Sequence, residues 1–299
     1  MNREEFIDQV VTVDYAARNV VQHLYDAARK IAGKPLCAAA ADLLTTSRNA
    51  MIATGFRILR YGGAVESDGL ISSVLLARWL ETKGGEAAIL VDQGFEEVVE
   101  AGLKVVDTNR TAVYGLPPNY LGSVRTVLHA LDEKQPDLLI TVERPGANKF
   151  GVYHNSVGQN ISDITAPVDR VFEMIRDHRR RLIAFGDGGN EAGMGLIKHV
   201  VNKHVPYGAT CTCGCGGGIA AEKTADILVV STTSDFGVYG AMALADRETY
   251  RATIQHLPKT IHTLFRAGCV DALKGPDKPG IDGIPLEAVK AVAKLLSLP

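Results

Sequence analysis

Long apolar runs are missing from this 299-residue chain, and none approaches the length needed to span a membrane. An excess of one charge sign is missing too. The formal net charge is −2, so composition offers no electrostatic case for nucleic acid or an anionic membrane surface as a partner. Cysteine is scarce and odd in number: Cys37, Cys211, Cys213, Cys215 and Cys269, three of them packed into Cys-Thr-Cys-Gly-Cys. A secreted disulfide framework does not look like this, and reduced thiols in a cytoplasm are expected. The opening Met-Asn-Arg-Glu-Glu-Phe-Ile-Asp is acidic and polar, unlike a secretory signal or transit peptide. No Gly-Lys-Ser/Thr completes a P-loop, no Gly-x-Ser-x-Gly elbow is present, and the dinucleotide fingerprint is matched only roughly, with acids inside it.

What is present is an ordinary globular composition, 46% hydrophobic and 22% charged, which can supply a sizeable core. Apolar residues at Ala17, Val20, Val21, Leu24, Ala28 and Ile31 mark one face of a helix over 14–32, ended by Gly33 and Pro35. A short helix over 37–44 follows, and residues 1–48 read as a helical N-terminal extension, a cap or an oligomer arm. Short apolar runs at 50–54, 87–91, 138–142, 182–185 and 227–230 then alternate with helices expected at 70–83, 95–101, 121–133, 168–179, 192–204 and 238–246. This alternation predicts an α/β fold, a mostly parallel sheet with helices on both faces. The segment 146–165 is long and polar and reads as a loop or lid, and Pro285 opens a last helix. No linker stands out, so residues 1–299 are expected to form one α/β domain carrying that extension.

The informative feature is the acid that follows each run. Glu66-Ser67-Asp68-Gly69 comes after the first run, Asp92 directly after the second and Glu143 directly after the third, with Arg144 next. Gly186-Asp187-Gly188-Gly189-Asn190-Glu191 follows the fourth, and Ser231 with Asp235 follows the fifth. In an open parallel sheet ligands bind at the carboxyl ends of the strands, so these acids would converge on one crevice. Unaided, they would repel one another and resist desolvation; a hard cation such as Mg²⁺ or Mn²⁺ resolves this. Each acid taken singly also reads as a helix cap, but Asp92 and Glu143 abut buried runs where no cap is yet needed. Arg144 reads either as a fork for a substrate carboxylate or as an ion-pair partner orienting Glu143. Cys211, Cys213 and Cys215 match metal-ligand spacing poorly, with Cys269 as the only fourth ligand in view. They are expected to be free thiols, with a structural metal as the alternative. His154 is a further catalytic candidate in the loop.

Taken in order, these motifs resemble the catalytic C-terminal domain of the D-glutamate cyclase family. The matching pieces are Thr54-Gly55-Phe56, Glu66-Ser-Asp-Gly69, Glu143-Arg-Pro-Gly146, Thr165-Ala-Pro-Val-Asp169, Gly186-Asp-Gly-Gly-Asn-Glu191 with Gly193-Met-Gly195, Val270-Asp271 and Asp282-Gly283. They span nearly all of the chain after the N-terminal helices. The resemblance implies cyclisation of D-glutamate to 5-oxo-D-proline with loss of water, in a fold related to metal-dependent phosphoesterases with acidic sites. It places the family's acidic positions on Glu66, Asp68, Glu143, Asp187 and Glu191, to which the strand-end argument adds Asp92 as a metal ligand. Where the family tends to read Ser-Asn-Trp-Gly, this chain has Ser234-Asp235-Phe236-Gly237. Ser234, Asp235, Asn190 and Arg144 are expected to contact a small amino-acid substrate. Glu143 and Asp187 are expected to carry proton transfer, beside a divalent metal that makes the substrate carboxyl more electrophilic. Other readings are a metal-dependent phosphohydrolase and a metal- or amino-acid-binding protein without turnover. Self-association through the N-terminal helices is a further expectation.

Overall fold

The computed structural model describes residues 2–299. Six strands form one sheet: β1 (Asn49–Thr54), β2 (Glu86–Asp92), β3 (Ala112–Leu116), β4 (Leu138–Val142), β5 (Arg181–Gly186) and β6 (Ile227–Val230). Every neighbouring pair is parallel, and the spatial order is β3-β2-β1-β4-β5-β6. The α/β class is therefore found, with a sheet that is wholly parallel. The central strands are buried along almost their whole length, which is why they read as unbroken apolar runs rather than alternating ones. β3 is the strand the sequence reading passes over. It is a half-buried edge strand, interrupted by Gly115, where an added Cβ would lie 1.7 Å from the Glu96 carboxylate.

The strand order places the site. From β1 the chain steps outward to β2 and β3, then returns past β1 to build β4, β5 and β6 on its other side. Right-handed crossovers put α4 (Leu70–Thr82) and α5 (Glu96–Val105) on one face, and α6 (Tyr120–Lys134) and α7 (Val168–Ile175) on the other. Loops leaving β1 and β4 therefore diverge, and a crevice opens between their carboxyl ends, where such sheets bind ligands. α8 (Lys198–His204) follows β5, and α9 (Ser234–Ala245) lies beside α4 over the first face, with α4 and α9 buried almost all round. An uninterrupted apolar helix is the expected sequence of one packed between a sheet and an outer layer.

Two expectations are corrected here. The stretch 14–32 is helical only as α2 (Val21–Ala32), because a turn over 13–19, with Ala17 and Asn19 at positive φ, precedes it. α1 (Arg3–Val11) and α3 (Leu36–Thr46) are not an arm: both pack on α9, and their apolar residues belong to the main core. Gly240 permits that close approach, since a Cβ there would sit 2.8 Å from Cys37 Sγ and 3.0 Å from Ile7. The segment 146–165 is a folded loop with its own small core of Phe56, Ala147, Tyr153 and Ile161. It is held down by Asp169, which accepts from Ala147 N at 3.0 Å and from Tyr153 Oη at 2.5 Å. Two helices absent from the sequence reading, α10 (Arg247–Ile254) and α11 (Leu257–Arg266), complete the layer beyond α4.

Candidate active site

At the crevice lies a cleft of about 400 Å³, the size of a small-molecule site, with carboxylates in its wall and floor. Asp68, Glu143 and Asp187 each offer an oxygen, and the three donor atoms lie within 4.8 Å of one another. All three residues are buried. Glu66, Glu191 and Asp282 also line the cleft. Glu143 reaches the centre by turning its backbone into the left-handed region directly after β4, at φ 45°, a conformation unfavourable for a residue with a Cβ. Gly69 leaves room for it: a Cβ on Gly69 would sit 2.5 Å from Glu143 Cβ and 2.7 Å from Val142 O. Ser234 Oγ then donates to Glu143 Oε2 at 2.6 Å and orients the carboxylate.

The amino termini of two helices face this cluster and exchange caps. Asp68, just ahead of α4, accepts from Ser234 N and Asp235 N of α9, both at 2.9 Å. Asp235, in the first turn of α9, accepts from Gly69 N and Ser72 N of α4, both at 3.0 Å. Each helix start is thereby satisfied by the other's aspartate, and both positive helix ends point toward the acids, which offsets part of their repulsion. Asp68 is thus a cap and a member of the trio at once. Glu191 folds back on its own turn and accepts from Gly188 N at 2.7 Å and Gly189 N at 2.6 Å.

One cation among the described residues enters the cluster. Arg18, on the turn before α2, donates to Asp187 Oδ2 at 2.7 Å and lies 3.6 Å from Asp282. Asp14 shapes that turn by accepting from Arg18 N at 2.9 Å and Asn19 N at 2.6 Å. A single guanidinium leaves the acids under-neutralised. Burial, followed by neighbouring carboxylates, raises Glu66, Asp68 and Glu143 well above the ordinary carboxylate range. Burial and Asp187 likewise raise Glu191 to about 8, and burial and Asp187 raise Asp282 to about 7 against the opposing pull of Arg18.

These shifts carry a sign. A carboxyl group raised in the folded state holds its proton there more tightly than in the unfolded chain. Its contribution to stability is full below the unfolded pKa of about 4 and is lost as pH climbs through the folded value. Metal-stripped protein is therefore expected to melt at progressively lower temperature as pH rises through about 7 for Asp282 and about 8 for Glu191. A divalent cation should restore the loss at the alkaline end. Thermal scans with and without cation check this; a melting temperature that climbs with pH across the same window would refute it.

Of the residues singled out from the sequence, Glu66, Glu143, Asp187, Asn190 and Glu191 line the cleft, and Asp68 and Ser234 lie beneath it in contact with the others. Three are placed elsewhere. Asp92 is not with the acids: its Oδ1 accepts from Arg144 Nη2 at 2.5 Å and from Ala166 N at 2.9 Å. Arg144 does not line the cleft. It is fully buried, and its guanidinium also donates to Gly55 O at 3.0 Å and Ala166 O at 2.8 Å, which pins together the ends of β1 and β2 and the 146–166 loop. Asp235 caps α4, is fully buried and does not reach the cleft. Two residues of the cluster escaped sequence reasoning. Arg18 lies in a stretch that reads as the inside of a helix. Asp282 was visible only as part of an Asp-Gly pair, and its proximity to Arg18, Asp187 and Glu66 required the fold.

Among the described residues no helix is long and apolar enough to cross a membrane. A sequence model of the family described as D-glutamate cyclase-like, C-terminal, matches residues 7–297. Over 236 residues the chain is 29% identical to the Homo sapiens protein named D-glutamate cyclase, mitochondrial, an alignment covering 73% of this chain. It covers 36% of that relative's own length.

Proposed function

This chain belongs to the D-glutamate cyclase-like, C-terminal family, and from that premise we propose that it is a lyase forming 5-oxo-D-proline and water from D-glutamate. The observation that carries the proposal is the meeting of Asp68, Glu143 and Asp187 within 4.8 Å at the base of a cleft sized for a small molecule. The relative's printed name supplies the substrate class.

The donor set fits a hard divalent cation, magnesium or manganese in this proposal. Three buried, mutually repelling carboxylates form an all-oxygen set whose charge the one arginine in contact does not balance. Such a cation, held by Asp68, Glu143 and Asp187, would supply Lewis-acid activation of the γ-carboxyl carbon. The chain's own residues do the rest. Arg18, rather than Arg144, lines the cleft in contact with its acids, and it receives the α-carboxylate. Asp187 or Glu143 accepts a proton from the substrate ammonium, so that the amine attacks the γ-carbon of the same molecule. Glu191, kept protonated by burial and by Asp187, gives one proton to the departing oxygen and regains one as the nitrogen loses its second; the base returns the other, so the γ-carbon–oxygen bond breaks with loss of water. Asn190 is steadied by donating from Nδ2 to His154 O at 3.0 Å and fixes one wall of the cleft. Holding amine and carboxyl in one enclosure replaces an entropic cost that free glutamate meets in solution. The five free cysteines support a reducing compartment, the cytoplasm in this proposal.

The test is incubation of purified protein with D- and L-glutamate, with and without Mg²⁺ or Mn²⁺, following 5-oxoproline by NMR. Cation-dependent turnover of the D isomer is expected. No cation-dependent turnover of either isomer removes the assignment, and hydrolysis of phosphate monoesters instead would favour a phosphohydrolase. Arg18→Met is expected to raise KM at least tenfold, about 1.4 kcal/mol of lost binding, with a smaller change in kcat. An unchanged KM would exclude Arg18 as the carboxylate anchor.

A further inference from the structure

A second cluster of ligating side chains lies apart from the acids, where the loop 207–223 packs on the loop 146–165. Cys211 Sγ lies 3.3 Å from both Cys213 Sγ and Cys215 Sγ. His154 Nε2 lies 3.2 Å from Cys213 Sγ and 3.7 Å from Cys215 Sγ. All four donor atoms fall within 4.8 Å of one another. The cysteines are free, yet their sulfurs approach more closely than unrelated thiols have reason to. A tetrahedron with metal–sulfur bonds of about 2.3 Å separates its ligand atoms by about 3.7 Å. Three thiols and one imidazole at nearly that separation form a closed, soft-donor set, distinct in chemistry from the all-oxygen set of the cleft.

The spacing argument against such a site fails for a structural reason. An extended Cys-x-Cys-x-Cys puts its side chains on one side but about 7 Å apart, so the backbone must curl to bring the sulfurs together. Gly214 and Gly216 supply the curl at φ +81° and +77°. The fourth ligand is also not the expected one. Cys269 is buried elsewhere, beside Glu66, whereas His154 comes from the opposite loop. His154 is fully buried, which orients its Nε2 toward the sulfurs and away from the cleft, so its candidacy as a catalytic residue lapses. Asn148 Nδ2 lies 3.5 Å from Cys215 Sγ as an outer donor to the thiolate.

We propose that His154, Cys211, Cys213 and Cys215 bind one zinc ion, and that this ion is structural and fixes a wall of the neighbouring cleft. Binding converts the three thiols to thiolates and releases their protons to solvent. Asn155, Ser156, Val157 and Gln159, immediately after His154, line the cleft. Thr212 reinforces the same clamp, with its N donating to Gly158 O at 3.1 Å and its Oγ1 to Val157 O at 3.2 Å. His154 O also holds Asn190. The ion would join two irregular loops that share little apolar core, a situation in which metal ligation contributes folding energy directly. Zinc binding here stands independently of the reaction proposed for the acids.

The full chain, produced in zinc-supplemented medium and kept reduced, should carry about one zinc per chain by elemental analysis. Glu143→Gln, which alters the acid cluster, should keep that zinc. Cys213→Ser, at an exposed position, should lower it to below about a tenth. Wild-type protein loaded with cobalt in place of zinc should show the near-ultraviolet thiolate-to-cobalt band and the intense visible bands of a tetrahedral site, and zinc should abolish both. Amide exchange across 154–160 should speed up in Cys213→Ser. Zinc content far below stoichiometric with Cys211, Cys213 and Cys215 all freely titratable, or cobalt binding without the thiolate band, overturns the site. Unchanged exchange across 154–160 after loss of zinc overturns the positioning role.

Discussion

Glu143→Gln is expected to lower kcat for 5-oxoproline formation about a thousandfold, within the range for loss of a general acid–base group, while the protein stays folded. Glutamine keeps the shape of the side chain and an oxygen able to accept the Ser234 hydroxyl now bonded at 2.6 Å. It removes the group that gains and loses a proton and one oxygen anion of the trio. The same change removes a buried carboxyl group that Asp187, Glu191 and Asp68 push further toward its neutral form. Metal-free protein carrying the substitution should therefore lose less stability than wild type as pH rises above the ordinary carboxylate range, because one fewer buried group is forced to ionise. Lower activity with a flatter stability profile is the signature of a residue retained for chemistry at a cost to the fold. Steady-state kinetics by NMR and melting curves across pH test both halves. Retention of more than about a tenth of wild-type kcat would remove Glu143 from the proton-transfer role.

Breaking the Arg144–Asp92 pair is expected to have the largest effect on stability. Asp92→Ala leaves a guanidinium with no exposure to solvent facing only carbonyl oxygens, and an unpartnered buried charge of this kind costs about 3–5 kcal/mol. Arg144→Met strips the donor from Gly55 O and Ala166 O and leaves Asp92 buried with the Ala166 amide and with Arg57 Nε at 3.7 Å. The double variant should recover part of the sum of the single losses, since it leaves no lone charge behind. Urea denaturation of the four proteins measures the coupling. The result also separates two roles for Arg144. A structural pin predicts large stability losses with KM changing little in whatever fraction stays folded. A substrate fork predicts a KM increase in Arg144→Lys at nearly unchanged stability.

Much of this architecture was legible because it rests on local pattern. The five strands of the sheet's interior and one edge appear as short apolar runs because both of their faces are covered, and the acids appear directly after them because strand ends open onto the crevice. β3 was missed because an edge strand is only half buried and Gly115 interrupts it. The helix expected over 14–32 failed at its beginning because Ala17 and Val20 keep an apolar period through residues whose backbone turns left-handed. The errors at the site share another cause. Asp92 and Arg144 are as polar and as close to strand ends as Glu143, and nothing local distinguishes an acid aimed into a cleft from one paired behind it.

The sequence by itself determined the fold class, the family motifs and which loops carry acids, because hydrophobic period and residue type act over a few positions of chain. Tertiary structure alone decided which charges meet. It turned Asp92 toward Arg144, exchanged the caps of α4 and α9 between Asp68 and Asp235, and brought Arg18 and Asp282 to Asp187 from opposite ends of the chain. It also set His154 against three closely spaced cysteines. Coulombic and ligand-field interactions depend on distances through space, and a separation of 169 residues between Arg18 and Asp187 leaves no trace in the local pattern from which such a contact could be read.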